Sequence, residues 1–372
     1  MKIIHVLEHL RIEGGGLPAA VSELASRQSK AGITSIVVEL VDKKICTYSN
    51  GSVDRVVFDS IFKFWNAVSK LIRGSVNAGT LVHLHGVWCP SAALFLVFSR
   101  FVGLKYVVSF HGQLMPNLIA SDSYLKSFKK KFYARIVVSL YVHFSKRLHA
   151  VTEVERNVLR ELFGHEKDIR VIYNYVAADI FQASSVKSDV LSAFLGKKLL
   201  FMARLDPRKG IEQLIRGFAL SNLKRDWVLQ VCGSSLDVKY CDYLKKIASD
   251  AGVEARVVFM GLVHGERRIQ EFFSSAAVCL PSVSEVVALS NIEAALFSRL
   301  VVTTYNSGFP VGSDTGSLKI ECDESSIAAA LNYLGEMQFS EYERRASKLR
   351  QWALDAVSPE SLDRSWSDFY MD

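Results

Sequence analysis

The 372-residue sequence lacks any apolar run near the roughly 20 residues that a bilayer-crossing helix requires. The start, MKIIHVLEHL, also lacks the basic region, longer apolar core and small-residue cleavage site of a signal peptide. It runs directly into a strand-like segment, so the expected location is cytoplasmic. The six cysteines, Cys46, Cys89, Cys232, Cys241, Cys279 and Cys322, form neither C-x-x-C pairs nor zinc spacing. Several fall in or beside apolar segments, and buried free thiols are expected. The nine histidines give no H-E-x-x-H pattern, so no metal site is expected. RNP, KH and zinc-finger signatures are missing too, which argues against nucleic acid as a partner.

What is present is an ordinary globular composition, 49% apolar and 22% charged, in a chain longer than one core usually grows. Two domains are expected. The net charge of +7 is uneven: residues 1–185 hold 23 Lys and Arg against 14 Asp and Glu, and the remainder is slightly acidic. A basic first half suits an anionic membrane face or a phosphorylated substrate. Short apolar segments at 2–7, 35–40, 55–58, 81–85, 105–110, 147–151 and 170–173 alternate with helical periodicity. After a polar stretch at 179–198, expected to be a hinge, the pattern resumes at 198–203, 227–232, 256–259, 276–280 and 300–304. Strands alternating with helices predict α/β architecture, with doubly wound parallel sheets.

The most informative stretch is 279–304, CLPSVSEVVALSNIEAALFSRLVVTT. It reads as a buried strand, a polar loop, a short helix and a second buried strand. Ser290 followed three residues later by Glu293 spells a capping box, which predicts a helix start just after Ser290. A helix start after a strand presents backbone N–H groups at the carboxyl end of the sheet, where phosphates bind in open α/β folds. Two carboxylates, Glu285 and Glu293, flank that start. Each can accept two hydrogen bonds from vicinal hydroxyls, so a ligand with phosphate and sugar parts is expected. Upstream, Arg204 and Lys209 in RLDPRKG lie on a strand-to-helix loop, a fork and a point charge suited to a diphosphate. In the first half, Gly14, Gly15 and Gly16 follow the first strand, while His85-Gly86 and His111-Gly112 end two others.

The E-x7-E spacing of Glu285 and Glu293, with P-S-x-x-E before it and V-V-T-T after it, resembles the retaining GT-B glycosyltransferases of the group 4 family. RLDPRKG resembles the same family's R-L-x-x-x-K-G motif, and VVSFHGQL its strand-end histidine. The resemblance implies two Rossmann-like domains with a cleft between them: an acceptor-side domain over 1–178, a nucleotide-sugar domain over 179–357, and a helix over 358–372 returning to the first. It implies transfer of a sugar from a nucleotide diphosphate sugar, with no cofactor, metal or protein nucleophile. Arg204 and Lys209 would clamp the diphosphate, with help from amides at Leu289, Ser290 and Asn291. Glu293 would hold ribose hydroxyls, Glu285 would orient the sugar, and His111 would sit beside sugar and phosphate. Gly15 and Gly16 would approach the donor, and Gly233 and Gly261 the base.

The Gly112-Gln113-Leu114-Met115-Pro116 continuation is similar to enzymes of bacterial surface-polysaccharide assembly, which implies a glycan or lipid-linked acceptor. The segment 124–141, YLKSFKKKFYARIVVSLY, mixes aromatics with Lys126, Lys129, Lys130, Lys131 and Arg135. It reads either as a helix lying on an anionic membrane surface, making the protein peripheral on the inner face, or as a solvated helix packed on its own domain. Two departures stand out. Val286-Val287-Ala288 replaces the family's glycine-containing tripeptide, and Tyr173 and Tyr175 replace a proline and a glycine at the interdomain junction. A sugar-nucleotide epimerase of similar build and a non-catalytic nucleotide-sugar binder remain alternatives.

Overall fold

The computed structural model describes residues 1–8, 16–49, 52–76, 79–116, 129, 132–186, 189–223, 225–235, 237–312 and 314–371. Gly14, Gly15, Lys126, Lys130 and Lys131 lie outside the described residues. The chain divides into two compact units, one formed by Met1–Tyr175 with Pro359–Asp372 and the other by Val176–Ser358.

The first unit is built on an eight-stranded sheet: β1 (Lys2–Leu7), β2 (Thr34–Glu39), β3 (Lys44–Ser49), β4 (Ser52–Val57), β5 (Thr80–His85), β6 (Lys105–Ser109), β7 (Leu148–Ala150) and β8 (Ile169–Val171). The order is β4-β3-β2-β1-β5-β6-β7-β8. From β2 to β8 the neighbours are parallel, and the central strands are buried on both faces. Helix Ile61–Arg73 shows why the crossover elements form. Ser60 accepts from the Phe62 amide, and Phe64, Val68 and Ile72, four residues apart, make one buried stripe.

One edge departs from the expected parallel alternation. β3, which has no counterpart among the expected strands, pairs antiparallel with β2, and β4 pairs antiparallel with β3. The link from β2 to β3 is four residues and turns through Lys43 at φ +50°, too short for the crossover that a parallel neighbour needs.

The second unit has a six-stranded, wholly parallel sheet: β9 (Lys198–Met202), β10 (Val228–Cys232), β11 (Val257–Gly261), β12 (Ala277–Leu280), β13 (Leu300–Thr304) and β14 (Leu318–Ile320). Their order is β11-β10-β9-β12-β13-β14. The reversal between β9 and β12 is the topological switch point of a doubly wound sheet. The stretch 179–198, read as a hinge, instead carries helices Ala178–Ser184 and Val190–Leu195 within this unit. They are held there by buried Ile180 and Ala193. All six cysteines are free. No helix among the described residues is long and apolar enough to cross a membrane.

Candidate active site

In the second unit the site grows from the carboxyl ends of β9, β12 and β13. After β9, Asp206 caps the single turn Pro207–Lys209 by accepting from the Arg208 amide, and it also holds the Arg208 guanidinium at 3.0 and 2.9 Å. That hydrogen bonding keeps the Asp206 carboxyl down at about 2. The next residue, Gly210, has φ +71°, and a Cβ there would lie 2.2 Å from the Pro281 carbonyl. Only glycine lets the two loops touch at that point.

This close approach brings the basic loop to the acidic one. Lys209 Nζ donates to Glu285 Oε1, and each side chain is 15% exposed. Ser282 Oγ donates to the same carboxylate oxygen at 3.2 Å. Backbone bonds pin the acidic loop on both sides: Val283 N to Arg208 O, Glu285 N to Asn306 O and Ala288 N to Ser307 O. Arg204 is exposed and, among the described residues, has no ion-pair partner. It lines a cavity of about 220 Å³ with Asp206, Ser235, Asp237 and Tyr240. Of the three cations on this loop, Arg208 is held by Asp206, Lys209 by Glu285, and Arg204 faces solvent.

The helix after the acidic loop is Leu289–Leu296. The capping-box expectation is corrected here: the helix begins before Ser290, and the residue at its N-cap is Ala288, which makes no side-chain cap. Ser290 Oγ instead donates to the Met202 carbonyl at the end of β9, tying helix to strand. Leu289 N donates to Val287 O and Asn291 N to Ala288 O, both within the turn. Asn291 is fully buried; its Nδ2 donates to Thr303 Oγ1 at 2.9 Å, and its Oδ1 has no partner among the described residues. Glu293 is 3% exposed and faces Arg268 Nη2 with both oxygens, at 2.7 and 2.6 Å. Burial pushes its carboxyl up to about 7, and Arg268 works against that rise. Gly233 and Gly261 join at strand ends through Gly233 N to Gly261 O. A Cβ on Gly233 would strike the Ala203 carbonyl at 1.9 Å, whereas Gly261 has φ +69° and open space around it.

The first unit contributes a separate histidine-rich cluster. Gly16 opens helix Gly16–Lys30. His111, just past β6, sits at φ +50° and is followed by Gly112 at φ +75°, a turn few non-glycine residues enter. Glu155 holds that turn by accepting from the Gly112 and Val151 amides. Its neighbour Thr152 caps helix Glu153–Phe163. Burial pushes the Glu155 carboxyl up to about 7, against those two hydrogen bonds. His5, His83 and His85 bring ring nitrogens within 4.8 Å of one another, close enough to share a metal ion. All six of those nitrogens nevertheless have partners: His5 with His85 and Gln28, His85 also with His111, and His83 with Tyr370 and Ser109.

Two family models divide the chain between them. Residues 14–179 match Glycosyltransferase Family 4, and residues 195–352 match Glycosyl transferases group 1. The chain belongs to the group 4 glycosyltransferases of GT-B fold. The fold is shared with Anabaena Alr3699/HepE, solved in complex with UDP, at a TM-score of 0.73 and 17% identity over 99% of both chains. An uncharacterized glycosyltransferase of Methanocaldococcus jannaschii, MJ1607, is 34% identical over 112 residues, 30% of this chain and 28% of that relative. The D-inositol 3-phosphate glycosyltransferase of Mycolicibacterium smegmatis is 29% identical over 177 residues, 46% of this chain and 40% of the relative. These matches span less than half the length of either curated relative.

Within the second unit of this group 4 chain, Lys209 and Glu285 are in contact, and Arg204 shares their loop. Glu293, Leu289, Ser290 and Asn291 share one short helix. Sequence reasoning missed Arg268, which no motif marks, and the histidine network around His111.

Proposed function

We propose that the protein is a retaining, metal-independent glycosyltransferase that moves a sugar from a nucleoside diphosphate sugar to a hydroxyl acceptor. The observation that carries this reading is the Lys209–Glu285 pair beside unpaired Arg204. A diphosphate draws Lys209 and Arg204 to its oxygens, and the transferred sugar offers hydroxyls to the carboxylate that Lys209 releases. These fixed cations stabilise the charge that develops as the bond from the sugar C1 to the diphosphate breaks. The acceptor oxygen bonds to C1 on the same face, and its proton passes to the departing phosphate oxygen. Glu293, whose anionic form Arg268 favours against burial, accepts from ribose hydroxyls. UDP is the first nucleotide to try, since the Anabaena neighbour was solved with it.

The acceptor we propose is lipid-linked, as in bacterial surface-polysaccharide assembly, with the protein peripheral on the inner membrane face. The segment 124–141 carries the membrane reading. Its described part exposes Phe132, Ile136 and Leu140, and Phe144 continues the same four-residue spacing beside exposed Lys129 and Arg135. Val138, Tyr141 and Val142 face the core instead. Helix Pro90–Phe101 adds exposed Leu94, Val97 and Phe101, and its Arg100 guanidinium lies 6.0 Å from the Phe144 ring centroid. Two apolar stripes flanked by basic side chains fit a bilayer interface better than a purely solvated helix.

The test is incubation with labelled nucleotide sugars and lipid-linked acceptors on anionic and on zwitterionic vesicles. Glycosidic product is expected, faster on anionic vesicles. Free epimer, or binding without turnover, would assign one of the alternatives. Arg204→Ala and Glu293→Gln should each lower transfer by at least about a hundredfold with unchanged circular dichroism, and wild-type rates in both would reject the site.

A further inference from the structure

Five histidines of the first unit, His5, His83, His85, His111 and His149, form two hydrogen-bonded series under helices Gly16–Lys30 and Pro359–Met371. Their proton positions follow from one carbonyl. His149 Nε2 lies 2.8 Å from the Ile172 carbonyl, which can only accept, so the proton is on Nε2 and Nδ1 is an acceptor. Ser109 therefore donates to His149 Nδ1 at 2.7 Å and accepts from His83 Nε2 at 2.5 Å. His83 Nδ1 is then an acceptor, and the Tyr370 hydroxyl donates to it at 2.8 Å. With its proton committed, the Tyr370 oxygen can only accept from anything else.

The group beside it is the Gln28 amide. Gln28 Nε2 makes no well-formed hydrogen bond, yet the Gln28 side chain stabilises the Tyr370 phenolate against burial, the direction expected of an N–H aimed at that oxygen. Gln28 Oε1 accepts from Ser35 Oγ at 2.6 Å and lies 2.8 Å from His5 Nε2. His5 must donate there, leaving Nδ1 to accept from His85 Nε2 at 2.9 Å. His85 Nδ1 in turn accepts from His111 Nε2 at 3.0 Å. Every N···N contact holds one proton, and the series ends at His111 Nδ1, which meets no partner among the described residues.

We propose that Gln28, His5 and His85 are positioning residues for His111: they hold its proton on Nε2 and leave Nδ1 a bare acceptor, so that His111 takes a hydrogen bond from a sugar hydroxyl and does not donate one to phosphate. The hydroxyl assignment rests on the glycosyltransferase reading; the tautomer does not. Burial keeps the five rings neutral, with His111 held down at about 3 and His5 and His149 at about 4. A neutral ring that can only accept at its open nitrogen favours a hydroxyl over an oxyanion.

Long-range ¹H–¹⁵N correlation on the histidine-labelled full-length chain at pH 7 reads the tautomers directly, without any substitution. All five rings are expected as neutral Nε2–H forms; Nδ1–H or imidazolium at His111 would overturn the proposal. Gln28→Met removes the acceptor at the head of the series and should let His111 change tautomer, while Gln28→Glu keeps an oxygen there and should preserve it. A His111 signal unmoved by Gln28→Met would also overturn it. For the hydroxyl contact, Gln28→Met should lower kcat/KM for UDP-glucose, or the donor that turnover identifies, about tenfold and leave inhibition by the nucleoside diphosphate unchanged. Equal weakening of both would place His111 on the phosphate and sink the hydroxyl assignment, with the tautomer spectrum still standing.

Discussion

A carboxylate buried as deeply as Glu293 stays charged only with a cation in contact, and Arg268 is that cation. The two are 25 positions apart on different helices, and an exposed-looking R-R pair on a polar helix gives no hint that one arginine turns inward. The motif residues were legible because a strand-end loop constrains its spelling. Their partners were not, because pairing across the fold leaves no spacing to read. The same holds for His5, His83 and His85, which look like ordinary strand histidines until parallel pairing places His5 beside His83 and Leu7 beside His85. Arg268→Met removes the charge that opposes the upward push of burial, so the Glu293 carboxyl should rise beyond its present value of about 7. If ribose hydroxyls need the anion, kcat/KM for the donor should fall about tenfold at pH 7 and recover as pH is raised. A pH profile parallel to that of the unmodified protein would show that Arg268 does not tune Glu293.

Elements were legible where one period dominated and illegible where a short connection or a small residue decided. The buried strands of both sheets followed from apolar runs, but β3 is only partly apolar, β14 is three residues long, and the antiparallel edge depends on a four-residue link. The start of helix Leu289–Leu296 was misread because Ser290 bonds to a neighbouring strand rather than to its own helix. Helix Ile211–Leu220 shows the reverse case, a residue unfavourable by propensity and required by packing. Gly217 sits mid-helix, where a Cβ would lie 2.7 Å from Ile327 Cγ2 and 2.9 Å from the Glu324 carbonyl. Alanine improves helix propensity by about 1 kcal/mol, whereas overpacking a filled contact costs about 1–3 kcal/mol. Gly217→Ala should therefore destabilise the second unit by up to about 2 kcal/mol in urea unfolding. A stabilised variant would mean that helix Ile211–Leu220 and helix Glu324–Glu336, which carries Ile327, part without loss.

At the scale of the molecule, the two-sheet plan was readable from alternation alone, while the unequal distribution of titrating groups was not. His5, His83, His85, His111 and His149 all belong to the first unit, and all have pKa values pushed down by burial. An unfolded histidine binds its proton near 6.5, whereas His5 and His149 do so at about 4, His111 at about 3, and burial holds His83 and His85 well below the unfolded value, so below pH 6.5 the unfolded first unit holds more protons than the folded one. Its stability is fully present above pH 6.5 and falls as pH drops, by up to about 1.4 kcal/mol per pH unit for each histidine. Glu155, raised by burial to about 7, opposes this as a single group. In the second unit Glu293 is raised from 4.5 to about 7, so there the folded state holds the extra proton and stability increases as pH falls through that window. Lowering pH from 7 to 5 should therefore move the melting of the two units in opposite directions. Scanning calorimetry should resolve a first-unit transition that shifts to lower temperature and a second-unit transition that holds or rises, and Glu293→Gln should remove the rise. A single transition that moves as one through this range would mean that the histidine layer does not stay neutral in the folded protein.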